Sequence, residues 1–252
     1  MAMNIVDAFD IDLSRHELIC LVGAGGKTTT MFALARELKS RGKSVLVTTT
    51  TNIFYPSTGE CDEVIIDGSA DTNILKHAEP GRIICLGGAI IKERKLSGID
   101  RECIAKLHEG KRFDCILVEC DGAKHKPIKA PAAYEPVVPG NATRAIGVIG
   151  LDAVGNPITD DYVHRLEQFC DVVQRRPGEM IDEEAVVELI VSAQGLFKGV
   201  PNGCKKYVVL NKAENAQRKA YAGSILTALL KRDTVPVTKC VIAAMARNRI
   251  YP

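Results

Sequence analysis

Two rhythms of apolar and polar positions run along the chain. Short, nearly unbroken apolar runs at 18–22, 44–47, 63–66, 82–86, 113–118, 145–150, 206–210 and 239–243 have the length and branched-residue content of buried strands. Between them lie stretches with apolar residues three and four apart, and these predict helices at 28–39, 72–77, 99–108, 159–170, 180–193 and 215–231. The first has Met31, Leu34, Ala35 and Leu38 on one face and Gly42 as its stop. Helix 180–193 has Asp182 as its cap and Gly195 at its end. Strands alternating with helices predict right-handed βαβ units. The expected architecture is a single α/β domain over residues 1–252, a mostly parallel sheet with helices on both faces. Ligands then belong at the carboxyl ends of the strands.

The first strand runs into Gly23-Ala24-Gly25-Gly26-Lys27-Thr28-Thr29. A glycine-rich turn between a buried strand and a helix lets backbone N–H groups approach an anion, and the helix N-terminus adds unpaired donors. Lys27 is placed to neutralise β- and γ-phosphates and Thr28 to offer its hydroxyl to Mg²⁺, as in a P-loop. The common spacing G-x-x-x-x-G-K-[ST] would need glycine where this chain has Leu21, so the loop is a variant with its glycines bunched. Strand 113–118 delivers Glu119 and Asp121, which strand periodicity puts on one face. A hydrophobic strand ending in acids is the Walker-B arrangement. Asp121 is expected to share Mg²⁺ with Thr28 and Glu119 to orient the attacking water, although either acid fits the metal. Asn211-Lys212-Ala213-Glu214 follows a late strand, as the Asn-Lys-x-Asp base-reading segment does in GTPases. Its glutamate, one methylene longer, leaves ATP and GTP both open.

Three further features bear on function. Thr48 to Thr51 end the second strand, where hydroxyls reach a phosphate, metal or substrate, or simply serve β-propensity. Segment 90–98, with Lys92, Arg94 and Lys95, reads as a solvated loop, with a basic flap over an anion as the rival reading. Segment 123–139 holds Lys124, His125, Lys126, Lys129 and four prolines, which forbid a regular element and favour a substrate or switch loop.

Composition narrows the classes. A net charge of +2, with basic residues spread along the chain, argues against a dedicated nucleic-acid binder. No apolar stretch approaches a membrane span, and the first twelve residues lack the basic-then-apolar plan of a signal peptide, so a cytoplasmic protein is expected. Nine cysteines, an odd number without a C-x-x-C pair, read as free thiols.

Segments 22–29, 48–51, 118–124, 129–131, 135–139 and 210–213 follow one another in an order that closely resembles the YqeC family. That family is described as accessory proteins of selenium-dependent molybdenum hydroxylases. The resemblance runs from about Phe9 to the C-terminus. It implies a P-loop nucleotide-binding fold and a role in maturing a selenium-containing molybdenum cofactor site, with a molybdenum hydroxylase or a pterin cofactor as partner. Cys120 stands where a smaller residue is commoner in the family and Glu214 where aspartate is expected. The expected activity is Mg²⁺-dependent nucleoside-triphosphate hydrolysis. Its rivals are a small-molecule kinase or nucleotidyltransferase acting on an anionic cofactor precursor, and a non-catalytic module gated by nucleotide.

Overall fold

The computed structural model describes residues 4–68 and 72–251. Its centre is a nine-stranded sheet built from β1 (Glu17–Gly23), β2 (Val45–Thr49), β3 (Glu63–Ile66), β4 (Ile83–Gly87), β5 (Cys115–Glu119), β6 (Arg144–Gly150), β7 (Lys205–Asn211), β8 (Lys239–Ala244) and β9 (Arg249–Tyr251). Their order across the sheet is β9-β8-β7-β6-β1-β5-β2-β4-β3. All neighbours are parallel except β9, which returns antiparallel on β8. β1 therefore lies between β6 and β5, with every residue buried. A continuous apolar run is what a strand covered on both faces requires.

Alternation along β1 divides its side chains between two cores. Leu18, Cys20 and Val22 face a core completed by α3 (Arg101–Glu109), α4 (Leu166–Val173), α5 (Glu183–Val191) and α6 (Ala216–Leu230). Ile19 and Leu21 face the other, completed by α1 (Ile5–Ala8) and α2 (Lys27–Ser40). Helices thus cover both faces, giving the three-layer α/β fold expected from a P-loop protein. Among the described residues no helix is long and apolar enough to cross a membrane.

Two expectations need correction, and a third, left open between two readings, is narrowed. Residues 159–170 do not form one helix: Val163–His164 pairs in parallel with Ile128–Lys129, and α4 begins only after Arg165 at φ 68°. A pairing with a segment 35 residues away overrides the local helical spacing. Residues 90–98 are not a loop. Ile90–Ile91 and Lys95–Ser97 form a hairpin that adds antiparallel to Asn52–Phe54, a small second sheet above the main one's carboxyl edge. The Thr48 to Thr51 hydroxyls mostly serve the backbone rather than a ligand. Thr48 donates to Leu86 O at 2.9 Å, Thr49 to Glu119 O at 2.8 Å and Thr50 to Val137 O at 2.9 Å.

Candidate nucleotide site

β1 ends in Gly23, and the next three residues turn the chain into α2. Gly23, Gly25 and Gly26 have φ of 91°, 78° and 124°, a region closed to most side chains. At Gly25 space also forbids a side chain: a Cβ there would lie 2.2 Å from Gly150 N. The turn is clamped from both flanks. Ala24 N–H donates to Val148 O at 2.8 Å and Gly25 N–H to Lys126 O at 3.1 Å, while Asn211 Nδ2 donates to Gly25 O at 2.8 Å. Because strand pairing continues through Gly23, position 21 lies inside β1, buried, where leucine suits the core better than the glycine of the longer motif.

α2 begins at Lys27 with Gly26 as its N-cap and no side chain capping it. Its first-turn N–H groups therefore face an open cleft of about 510 Å³, lined by the loop from Gly25 to Thr29, by Glu119 and by Lys212. The Lys27 ammonium is buried. It donates to Gly23 O at 2.7 Å and lies 3.2 Å from Asp121 Oδ1 and 3.7 Å from Glu119 Oε1. Burial alone would lower its pKa, but Asp121 and then Glu119 hold it above the ordinary lysine value, so Lys27 stays charged. The Thr28 hydroxyl donates to Glu119 Oε2 at 2.7 Å. Burial raises the Glu119 carboxyl above its usual range, against the pull of Lys27 and Thr28.

The two acids do different work. Glu119 meets Thr28 at the cleft, whereas Asp121 sits behind the loop: its Oδ2 accepts from Gly23 N–H at 3.1 Å and lies 3.1 Å from the Lys129 ammonium. Lys129, expected in a substrate loop, is fully buried and donates to Glu135 Oε2 at 2.8 Å and to Gly122 O at 2.7 Å. Glu135 in turn lies 3.4 Å from Arg165. Charges thus alternate from Lys27 through Asp121, Lys129 and Glu135 to Arg165. Sequence reasoning missed Glu135 and Arg165, since only the pairing of Val163–His164 with Ile128–Lys129 brings them together. Cys120 between the acids is buried beside Cys20, and burial, then the Cys20 contact, pushes its thiol well above the ordinary range. A buried thiol held protonated is a weak nucleophile.

The segment following β7 divides in the same way. Lys212 reaches the cleft, with its Nζ 2.7 Å from Asp152 Oδ2. Asn211 is buried, its Oδ1 accepting from Met245 N–H at 3.0 Å, so it braces the loop from behind. Glu214 is exposed, 3.7 Å from Arg218, and does not line the cleft.

A protein-family model described as YqeC protein matches residues 19–167, which hold the glycine-rich turn, both acids and the chain of alternating charges. The chain belongs to the YqeC family. It is 34% identical over 237 residues to "Uncharacterized protein YqeC" of Escherichia coli (strain K12), an alignment covering 91% of each chain. In YqeC terms the family match begins at the third residue of β1 and closes just after α4 begins. Asn211 to Glu214 lie outside it.

Proposed function

We propose that this YqeC-family chain binds a nucleoside triphosphate with Mg²⁺ and hydrolyses it. One observation carries the reading: the Thr28 hydroxyl and Glu119 carboxylate meet at 2.7 Å beside the charged Lys27, under a helix end whose first-turn amides have no side-chain cap. A hydroxyl and a carboxylate are hard oxygen donors suited to Mg²⁺, which is usually held by one or two carboxylates together with substrate phosphates. Among the described residues no group of three or more His, Cys, Asp or Glu could hold a metal alone, so the ion is expected to arrive with the nucleotide. Bound there, Mg²⁺ supplies positive charge against the β- and γ-phosphates.

The geometry favours Glu119 rather than Asp121 as the partner of Thr28 on the metal. Asp121 becomes a positioning residue that holds Lys27 and the amide of Gly23. Amides of the α2 end bind the phosphates, and Lys27 neutralises the charge that builds on the oxygens between them. Water adds to the γ-phosphorus as its bond to the bridging oxygen breaks, leaving nucleoside diphosphate and inorganic phosphate. ATP and GTP are the expected substrates, with Lys212 on the side where the base lies. On the resemblance to accessory proteins of selenium-dependent molybdenum hydroxylases, we infer that this turnover serves the maturation of such an enzyme or of its cofactor.

Calorimetric titration of ATP, GTP and CTP, each with Mg²⁺, into wild type, Lys27→Ala and Thr28→Val tests the site, with circular dichroism confirming that the variants fold. Loss of the Lys27 contacts should weaken binding by about a hundredfold, as two charge-assisted hydrogen bonds would. Thr28→Val should bind the nucleotide but lose its Mg²⁺ dependence. Wild-type affinity in Lys27→Ala would sink the reading.

A further inference from the structure

The cleft extends past the phosphate-binding turn on the side away from Lys212. There its wall is formed by Asn52 and Phe54 of the small sheet, by Lys95 from the hairpin, and by Ala123 to Lys126. Phe54 is 46% exposed, unusual for so large an apolar side chain. Its ring lies 5.4 Å from that of His125, tilted by 30°, and the Lys95 ammonium stands 5.0 Å over it. An aromatic surface and a cation are thus presented at one point.

The opposing wall is strained. Lys126 N–H donates to Ala123 O at 2.9 Å, closing a turn whose two central residues, Lys124 and His125, have φ of 45° and 60°. A turn left-handed at both central positions strongly prefers Asn-Gly, because other side chains clash with their own backbone there. The chain keeps lysine and histidine regardless, and the turn is held from behind. Lys126 O accepts from Gly25 N–H at 3.1 Å, Pro127 O from Gly150 N–H at 2.8 Å, and Lys126 Nζ donates to Asp161 O at 3.2 Å. Strain of this kind persists where the surroundings over-determine it and gathers at ligand sites.

We infer that this end of the cleft binds a second substrate, a planar aromatic compound carrying a phosphate or carboxylate group. Its ring packs on Phe54 and His125, and its anion meets Lys124 and Lys95. Strand order separates the two ends: β5 and β2 lie on one side of β1 and β6 and β7 on the other. With the nucleotide base toward Lys212, as proposed above, the second substrate approaches Thr28 and Glu119 from the other side. The inference rests on the reading of the turn as a triphosphate site and supplies that site with a substrate class.

Fluorescence titration of 1-naphthyl phosphate into the full chain, with Mg²⁺ and a non-hydrolysable nucleotide, reads this site. Wild type, Phe54→Leu and Lys124→Gly are compared, and cyclohexyl phosphate serves as the non-planar control. Saturable binding is expected in wild type, about tenfold weaker in Phe54→Leu, as loss of one stacking partner produces. Lys124→Gly should melt at a higher temperature than wild type, because the turn relaxes, and yet bind the probe more weakly. Absence of saturable binding at millimolar probe, equal binding in the variants, or equal binding of cyclohexyl phosphate overturns the proposal. Calorimetry of nucleotide with Phe54→Leu separates this failure from that of the triphosphate reading. If nucleotide and probe weaken together, Phe54 holds the nucleotide base, and only the second-substrate inference falls. If wild type binds no nucleotide but binds the probe through Phe54, only the triphosphate reading falls.

Discussion

A carboxamide has a donating and an accepting end, and Asn211 commits both to the protein: Nδ2 to Gly25 O at 2.8 Å, Oδ1 to Met245 N–H at 3.0 Å. Asn211→Ala leaves a buried carbonyl and a buried amide unpaired, which should cost about 2 kcal/mol or more. Urea denaturation reads that loss. Nucleotide affinity should fall for ATP and GTP by the same factor, since the residue acts through the loop; a changed ratio between the two would make it a base reader. The tight strand-to-helix turn of Gly23 to Thr28 was legible in the sequence because its conformation depends on neighbours along the chain. The bracing role of Asn211 was not. It depends on the parallel pairing that sets Gly150 opposite Asn211 and carries the end of β7 to the turn. Nor was the division of labour between Glu119 and Asp121, because strand periodicity put both on one face and only the positions of Thr28 and Lys129 separate them.

Elements with a local cause were readable and those with a distant one were not. Asp182 was expected to cap α5, and its Oδ1 accepts from Ala185 N–H at 2.7 Å. The two-residue strand Val163–His164 has no local signature, since its reason lies in Ile128–Lys129. Its position has an electrostatic result. Burial, then the neighbouring Lys129 and Arg165, lowers the His164 pKa from 6.5 to about 4. In the unfolded chain the imidazole takes up its proton first as pH falls, so the folded state loses stability between pH 6.5 and about 4 and keeps its full value above 6.5. Urea midpoints measured across that window should fall less steeply for His164→Asn than for wild type. Parallel curves would place the acid sensitivity elsewhere.

Across the whole molecule, the alternating row from Lys27 to Arg165 ties the glycine-rich turn to the far edge of segment 123–139. Lys129 is its middle member, fully buried between Asp121 and Glu135. Lys129→Met keeps the apolar stem but leaves Asp121 with Lys27 and Glu135 with Arg165 as the remaining cations, so the loss should lie near the lower end of the about 3–5 kcal/mol that removal of one partner from a buried pair costs. The loss should be largest at neutral pH and shrink in acid, where Glu135, whose carboxyl burial would raise but Lys129 holds below its usual range, can protonate; thermal melts at both pH values read it. The sheet, its parallel sense and its two covered faces followed from the apolar runs, whose lengths are set by burial. The small sheet escaped because its strands are two or three residues long, too short for a periodic signal, and send only single residues such as Ile53 and Leu96 into the core.

The clamping of the glycine-rich turn has a kinetic side. Ala24 and Gly25 are already tied to β6 and to Lys126, and Gly25 O to Asn211, before any anion arrives. An anion bound as proposed would meet a cradle with little conformational freedom left to lose, so the turn would add no slow ordering step to encounter. Arrival of the proposed triphosphate would then be governed by diffusion and by the field of Lys27 and the helix end, and the time it stays by how firmly Lys27 and the amides of α2 hold it.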